Sequence, residues 1–378
     1  MDLMTNKNDV MIKSKQYLEV NWQEVKETWT KWWNKELDRP MVVLERLEPG
    51  DGLKFPAGVN LPVFSDFDDS PLQFPLDMEV NKLLDHYQKR LEYTRYYGDA
   101  FPRFWPNFGP GIIAGFLGAK VEYAHENKTI WFDIGKKIPI KDFNPRFNPD
   151  NVYWQRVKEI TSAAVERWGN KVQVAFTDLG GNLDILSAVV EDQELLTGML
   201  LNPNDLRQVT DALTSTWLKY YNELYAIIKD QDLGTSPWAH IFSPGKSYML
   251  QSDMAVMIDT SMFEQYVLPD LKTCCDNLEH AFYHLDGKEQ LQHLDLLLSI
   301  ENLHGIQWIP GAGNPPPEEW MDVLKKIRDA GKLCQLYVSP GGAMKIKNEL
   351  GAKGFAFYIW SETSDSEASE LIEYLYKP

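Results

Sequence analysis

The sequence predicts an α/β protein of the (β/α)8 barrel class, on three observations. Eight short segments read as strands, at 41–45, 101–105, 172–177, 237–242, 281–286, 305–309, 333–338 and 354–359. From the third onward each is separated from the next by a stretch of helical periodicity, which favours repeated strand–helix units closed into a barrel over a doubly wound sheet. The clearest pair, Ala281–Asp286 and Gly305–Ile309, ends at the turn signals Gly287 and Pro310-Gly311 with an amphipathic segment between them. Strands joined by such a crossover run parallel.

Taken in order, Trp22, Val25, Trp29 and Trp32 recur at helical spacing, so 22–37 is a helix that Arg39-Pro40 ends. Met41–Leu44 follows as a buried strand. From Pro49 to Asp77 the chain is rich in Gly, Pro, Asp and Phe without a period, and a loop of that length reads as a lid over a site. Val80, Leu83, Leu84, Tyr87 and Leu91 mark a helix, Phe101–Trp105 is an imperfect strand, and residues 119–150 form an extended excursion with the character of a hairpin. Trp154, Val157, Ile160, Ala164 and Trp168 line one helix face ahead of the strand Val172–Asp178. Asn202 before Pro203, with Asp205 in the first turn, starts a long helix. Ser236–Phe242 is a strand, and a long loop after it carries Ser243, Gln251 and Asp253. Ser261 with Glu264, and Ser364 with Glu367, have the spacing of capping boxes. A barrel of this class takes roughly 250 residues, so part of the 378-residue chain is additional. It is assigned to a helical N-terminal extension over 1–40 and to the long loops, 49–77 being the lid-like one, all within a single domain over 1–378.

Composition excludes several classes of function. Lysine and arginine number 38 against 55 aspartate and glutamate, a net charge of −17 that repels phosphates and anionic lipid heads. No nucleic-acid or membrane partner is expected. Three cysteines, two of them adjacent at Cys274 and Cys275 and the third at Cys334, make neither a disulfide framework nor a zinc-ribbon pattern. With no signal-peptide pattern at the N-terminus and no apolar run near the roughly 18 residues of a membrane span, the expected location is the cytoplasm. Thirteen tryptophans stand out. Two readings apply, core filling and an aromatic-walled pocket for a flat or sugar-like ligand.

In a barrel the C-terminal ends of the strands converge, so the polar residues there form one set wherever they fall in the sequence. The set is Arg46, Asn107, Asp178, Asn182, Asp184, His240, Asp253, His284, Asp286, Trp308, Tyr337, Ser361 and Glu362. His284 and Asp286, two apart on one strand, share a face and are the leading pair. His284, Asp286, Asp178, Asp253 and Tyr337 are the catalytic candidates, and Asn107, Asn182, His240, Trp308 and Trp360 the substrate-binding ones. Each has a structural alternative: Asp178 as the cap of the next turn, Asp184 as a helix start, His240 as a hydrogen-bonded core histidine between Trp238 and Phe242.

The motifs HLDG after an aromatic strand, QSDM followed by TSMFEQYVLPDL, and IQWIPGAG resemble the uroporphyrinogen decarboxylase superfamily, over about residues 80–376 and most specifically from Asp253 to Gly287. The superfamily also contains the zinc-dependent methyltransferases of corrinoid metabolism, and the resemblance implies a (β/α)8 barrel. The porphyrinogen decarboxylases carry two arginines after the first strand to hold substrate carboxylates, where MVVLERLEPG offers only Arg46. The methyltransferases have a His-x-Cys where this chain reads His284-Leu285-Asp286, and a later cysteine where it has Ser361 and Glu362. The implied zinc set here is His284, Asp286 and Glu362, nitrogen and oxygen donors in place of sulfur.

The leading expectation is thus an enzyme acting on a small organic molecule by methyl transfer, with a corrinoid protein as partner. Decarboxylation, glycoside hydrolysis by two of the carboxylates, and a barrel that binds without catalysis are the alternatives. Metal content separates the first from the rest.

Overall fold

The computed structural model describes residues 13–48, 70–126, 129–135, 137–190, 192–359 and 364–377. Residues 49–69 of the lid-like loop, and Trp360, Ser361 and Glu362, lie outside the described residues. The strands are β1 (Met41–Leu47), β2 (Thr94–Gly98), β3 (Arg103–Phe104), β4 (Lys120–Ala124), β5 (Thr129–Asp133), β6 (Gln173–Val174), β7 (Ser247–Gln251), β8 (His280–Asp286), β9 (Leu303–Ile309), β10 (Leu333–Val338) and β11 (Phe355–Ile359).

Seven strands form one sheet in the order β2-β1-β11-β10-β9-β8-β7. Every pairing in it is parallel except that of β2, which runs antiparallel along the edge of β1. β3 and β6 pair parallel in a sheet of their own, and β4–β5 is the antiparallel hairpin of the extended excursion. The architecture is mixed α/β around a mostly parallel sheet. Among the described residues no helix is long and apolar enough to cross a membrane.

The fourth expected strand is displaced. Residues 237–242 are not extended: Thr235 and Ser243 exchange backbone hydrogen bonds of 2.8 and 2.9 Å, and Ile241 N–H turns back onto the Ala239 carbonyl at 2.9 Å. That closure, with Pro237 unable to donate within it, folds the segment into an irregular loop. The strand is β7, SYMLQ, in the stretch read as loop. A second correction concerns helix starts. Ser364 and Glu367 make their capping box, whereas the cap expected at Ser261 lies two residues earlier, at Asp259, which accepts from Met262 N–H at 2.8 Å, and the helix begins at Thr260.

Period-2 alternation divides the sheet residues between two cores. Leu44, Leu285, Ile306, Trp308, Leu336 and Phe357 face the helix layer. Met41, Val43, Met249, Phe282, Leu333 and Tyr358 face the other way and pack with Trp29, Trp32 and Trp33 of the Trp22–Trp33 helix. The tryptophans of this helix thereby serve as core filling beneath the N-terminal halves of the strands. The same inner face becomes polar toward the strands' C-terminal ends, where Gln251, His284, Gln307 and Gln335 replace the apolar side chains. A buried clasp holds the first and last elements together: Arg39 donates to Asp99 at 2.7 and 2.8 Å, and Asp99 also accepts from Val42 N–H and the Tyr376 hydroxyl, both at 2.9 Å.

Candidate functional site

Register brings the site together. His284 of β8 lies opposite Gln251 of β7 on one side and Gln307 of β9 on the other. The chain leaves β7 through Ser252 into Asp253, and His284 and Asp286 project on the same side of β8. One ligand atom from each of Asp253, His284 and Asp286 falls within 4.8 Å of the others. The His284 Nε2 to Asp286 Oδ2 distance is 3.8 Å. His284 is largely buried, with the Trp238 ring edge-on to its imidazole at 5.0 Å, while Asp253 opens to solvent at the rim. The turns behind the strands need glycine. Gly287 and Gly311 both have φ of +87°, and a β-carbon on Gly311 would come within 3.2 Å of the Gly287 α-carbon.

Two further carboxyls stand behind the trio. Asp178, 5% exposed, accepts from Gly180 N–H at 2.8 Å, so the turn-capping reading of this residue is correct as far as it goes. Burial pushes its carboxyl up to about 7, with the negative charges of Asp253 and Asp184 adding to the effect. Asp184 accepts from Met254 N–H at 2.8 Å through one oxygen, while its other oxygen is buried without a donor. Burial and Asp253 raise it to about 7 as well. Asp253 is raised by its crowded surroundings and by Asp286, against the pull of His284. For His284 burial favours the neutral ring, but Asp286 and Asp253 outweigh it and the imidazole is raised. The cluster is four carboxyls around one imidazole, arranged to share protons or to hold a cation.

The remaining expected residues are placed as follows. Tyr337 lies on the inner face two residues beyond Gln335, its ring 5.4 Å from that of Tyr358. His240 sits apart from the trio, in a cavity of about 50 Å³ that also touches Glu45, Arg103 and Trp105. Its ring lies 4.2 Å from Tyr358, 3.5 Å from an Arg103 nitrogen and 3.7 Å from Glu45, and burial with the neighbouring arginines keeps it neutral. Three of the expected substrate-binding residues have other surroundings than the strand-end reading gives them. Trp308 is on the helix-facing side of β9, fully buried and 5.4 Å from Trp320, so it does not wall the mouth. Asn182 is buried between helices, donating to the Thr214 hydroxyl at 2.7 Å. Asn107 is buried and accepts from Gly109 N–H at 3.0 Å to hold its own turn. Trp360 and Glu362 fall outside the described residues, and the third donor beside His284 and Asp286 is an oxygen of Asp253.

Gln307, Gln335 and Trp238 escaped the sequence reading. Gln307 and Gln335 are 0% and 1% exposed in the layer of His284. Counting by twos from Gly305 and Leu333 reaches both glutamines, the same count that reaches His284 from Phe282. Compared with known proteins, the chain matches no family model and no curated protein.

Proposed function

We propose that the chain is a metal-dependent enzyme of the uroporphyrinogen decarboxylase kind, in which β3 and β6 complete a (β/α)8 ring with the parallel strands of the main sheet. In this reading Asp253, His284 and Asp286 hold a divalent ion, zinc foremost, and the reaction is methyl transfer from a small organic substrate with a corrinoid protein as partner. The observation that carries it is the convergence of three ligand atoms at the strands' C-terminal ends. One imidazole nitrogen and two carboxylates suit zinc, and they make a harder site than a thiolate set. When bound, the ion would act as a Lewis acid toward an oxygen or nitrogen of the substrate. Asp178 and Asp184, buried behind the three ligands, stand close enough to take part in proton transfer. Trp238 shields the imidazole from water.

A second reading, decarboxylation, is favoured by those same two carboxyls, since a neutral acid at physiological pH can protonate the carbanion left when CO2 departs. A porphyrinogen is a poor candidate substrate. Arg46 pairs with Glu48 and Asp365 on the outer side of β1, and a substrate of many carboxylates would meet a protein of charge −17.

Metal analysis of protein purified without chelator decides between the readings. Stoichiometric zinc in the native chain, absent from His284→Ala, is the expected result. A metal-free native chain that also fails to take up added zinc sinks the metal reading, and CO2 release from carboxylated substrates becomes the assay for the other.

A further inference from the structure

Behind the imidazole runs a buried chain of amides whose direction is set by a single peptide carbonyl. The Gln335 side chain reaches the backbone oxygen of His240 at 3.2 Å. A carbonyl oxygen only accepts, so Gln335 must turn its NH2 toward it and its own oxygen the other way. That oxygen meets the Gln307 amide at 2.8 Å, so Gln307 in turn presents NH2 to Gln335 and oxygen to its far side. On the far side is Nδ1 of His284, in close hydrogen-bond contact with Gln307 Oε1. Only one arrangement satisfies every group: Nδ1 carries a proton and donates it to Gln307.

The strands enforce this geometry. His284 pairs in register with Gln307, and Gln307 with Gln335, across β8, β9 and β10, so the three side chains rise from one layer of the inner face. Both glutamines are buried beyond the reach of bulk water, and reversing either amide would set oxygen against oxygen at one end of the chain. The anchor comes from the irregular 237–242 segment. A regular strand there would commit the His240 carbonyl to a ladder.

We infer that Gln307 and Gln335 are positioning residues that lock His284 in its Nδ1–H tautomer, leaving Nε2 as the atom offered toward Asp253 and Asp286. The inference deepens the proposed metal site and rests on it for its affinity readout, but not for its tautomer readout. A histidine ligand whose other nitrogen donates to a fixed acceptor is held in orientation and tautomer, and loss of such a partner typically weakens metal binding about 10–100-fold.

The test is a zinc titration of the full chain together with 15N NMR of the His284 ring in metal-free protein, at a pH where the ring is neutral. In native protein Nδ1 is expected to show the protonated, pyrrole-type shift. Gln307→Leu, similar in size but with no acceptor, is expected to lose about 10–100-fold in zinc affinity and to show a mixture of tautomers. Gln307→Glu, protonated on the oxygen that faces Gln335, keeps a donor toward Gln335 and an acceptor for Nδ1–H and is expected to recover most of the affinity, a rescue that a purely packing role for Gln307 would not give. A pyrrole-type Nε2 in the native protein, or equal zinc affinity in native and Gln307→Leu protein, overturns the inference. Failure of the native protein to bind zinc while Nδ1 remains protonated instead removes the metal reading and leaves the lock in place.

Discussion

Replacing Gly305 with alanine puts a methyl carbon 2.2, 2.5 and 2.6 Å from three atoms of the Phe282 ring, its partner in register on β8. The ring has little room to retreat, since Trp32 stacks over it at 5.8 Å and Trp33 meets it edge-on at 5.4 Å. Overpacking of this kind costs about 1–3 kcal/mol, and the aromatic walls place Gly305→Ala toward the upper end. At roughly 2 cal/mol/K per residue of unfolding entropy, 378 residues give about 0.8 kcal/mol/K. The melting midpoint should therefore fall by only about 2–4 °C, and urea denaturation followed by tryptophan fluorescence is the better assay. Phe282→Leu is destabilising alone, yet it removes the atoms with which the new methyl collides. The double variant should thus be more stable than the sum of the two single effects by at least about 1 kcal/mol. Additivity within about 0.5 kcal/mol would falsify the collision, as would a Gly305→Ala protein as stable as the native one. Gly305 and Phe282 lie one layer below Gln307 and His284, so if the proposed site holds zinc the same variant should also loosen its binding.

Two other perturbations test features away from the His284 cluster. Burial raises the Asp270 carboxyl to about 6 from its ordinary 3.8. The folded chain then holds a proton that the unfolded chain has released, and this contribution to stability is full below pH 3.8 and lost as pH rises toward 6. The Thr214 hydroxyl and the Cys274 thiol, which donate to Asp270, pull the other way without offsetting burial. Asp270→Asn, which carries its own donor, should flatten the pH dependence in that window and gain about 1–3 kcal/mol at neutral pH; denaturant midpoints across the window check it, and a loss of stability at pH 7 refutes it. Asp99→Ala strips the acceptor from Arg39 and Tyr376 and should cost about 2–4 kcal/mol, read as a lowered denaturation midpoint; an effect below about 1 kcal/mol would mean that water replaces the clasp.

The legible part of this fold is the part where chemistry is local. β1, β8, β9, β10 and β11 announce themselves because parallel strands buried on both sides read as apolar runs stopped by Gly or Pro. The Ser364 cap was legible because Ser and Glu can bond each other without help from elsewhere. At Ser261 the same spacing failed, since Asp259 offers a stronger acceptor two residues earlier. Segment 237–242 looked like a strand by composition, and only its closure across Thr235 and Ser243, a tertiary fact, made it a loop. In the site, His284 and Asp286 follow from strand alternation, whereas the nearness of Asp253 depends on how β7 sits beside β8. Trp308 was placed at the mouth for being near a strand end, although alternation from Gln307 sets it on the opposite face. Asn107 and Asn182 show the general difficulty: a buried amide near a strand end serves a turn or a helix contact as readily as a ligand.

The pairing of β1 with β11, Met41 through Leu44 against Ala356 through Ile359, has a bearing on how the chain is made. A ribosome emits β1 more than three hundred residues before its parallel neighbour exists. During that interval the hydrogen-bonding edge of β1 that β11 will cover is bare, next to an apolar surface that later becomes interior. Because β2 covers only the opposite edge of β1, that bare edge stays open to pairing with other strands until the last strand arrives to close the seam.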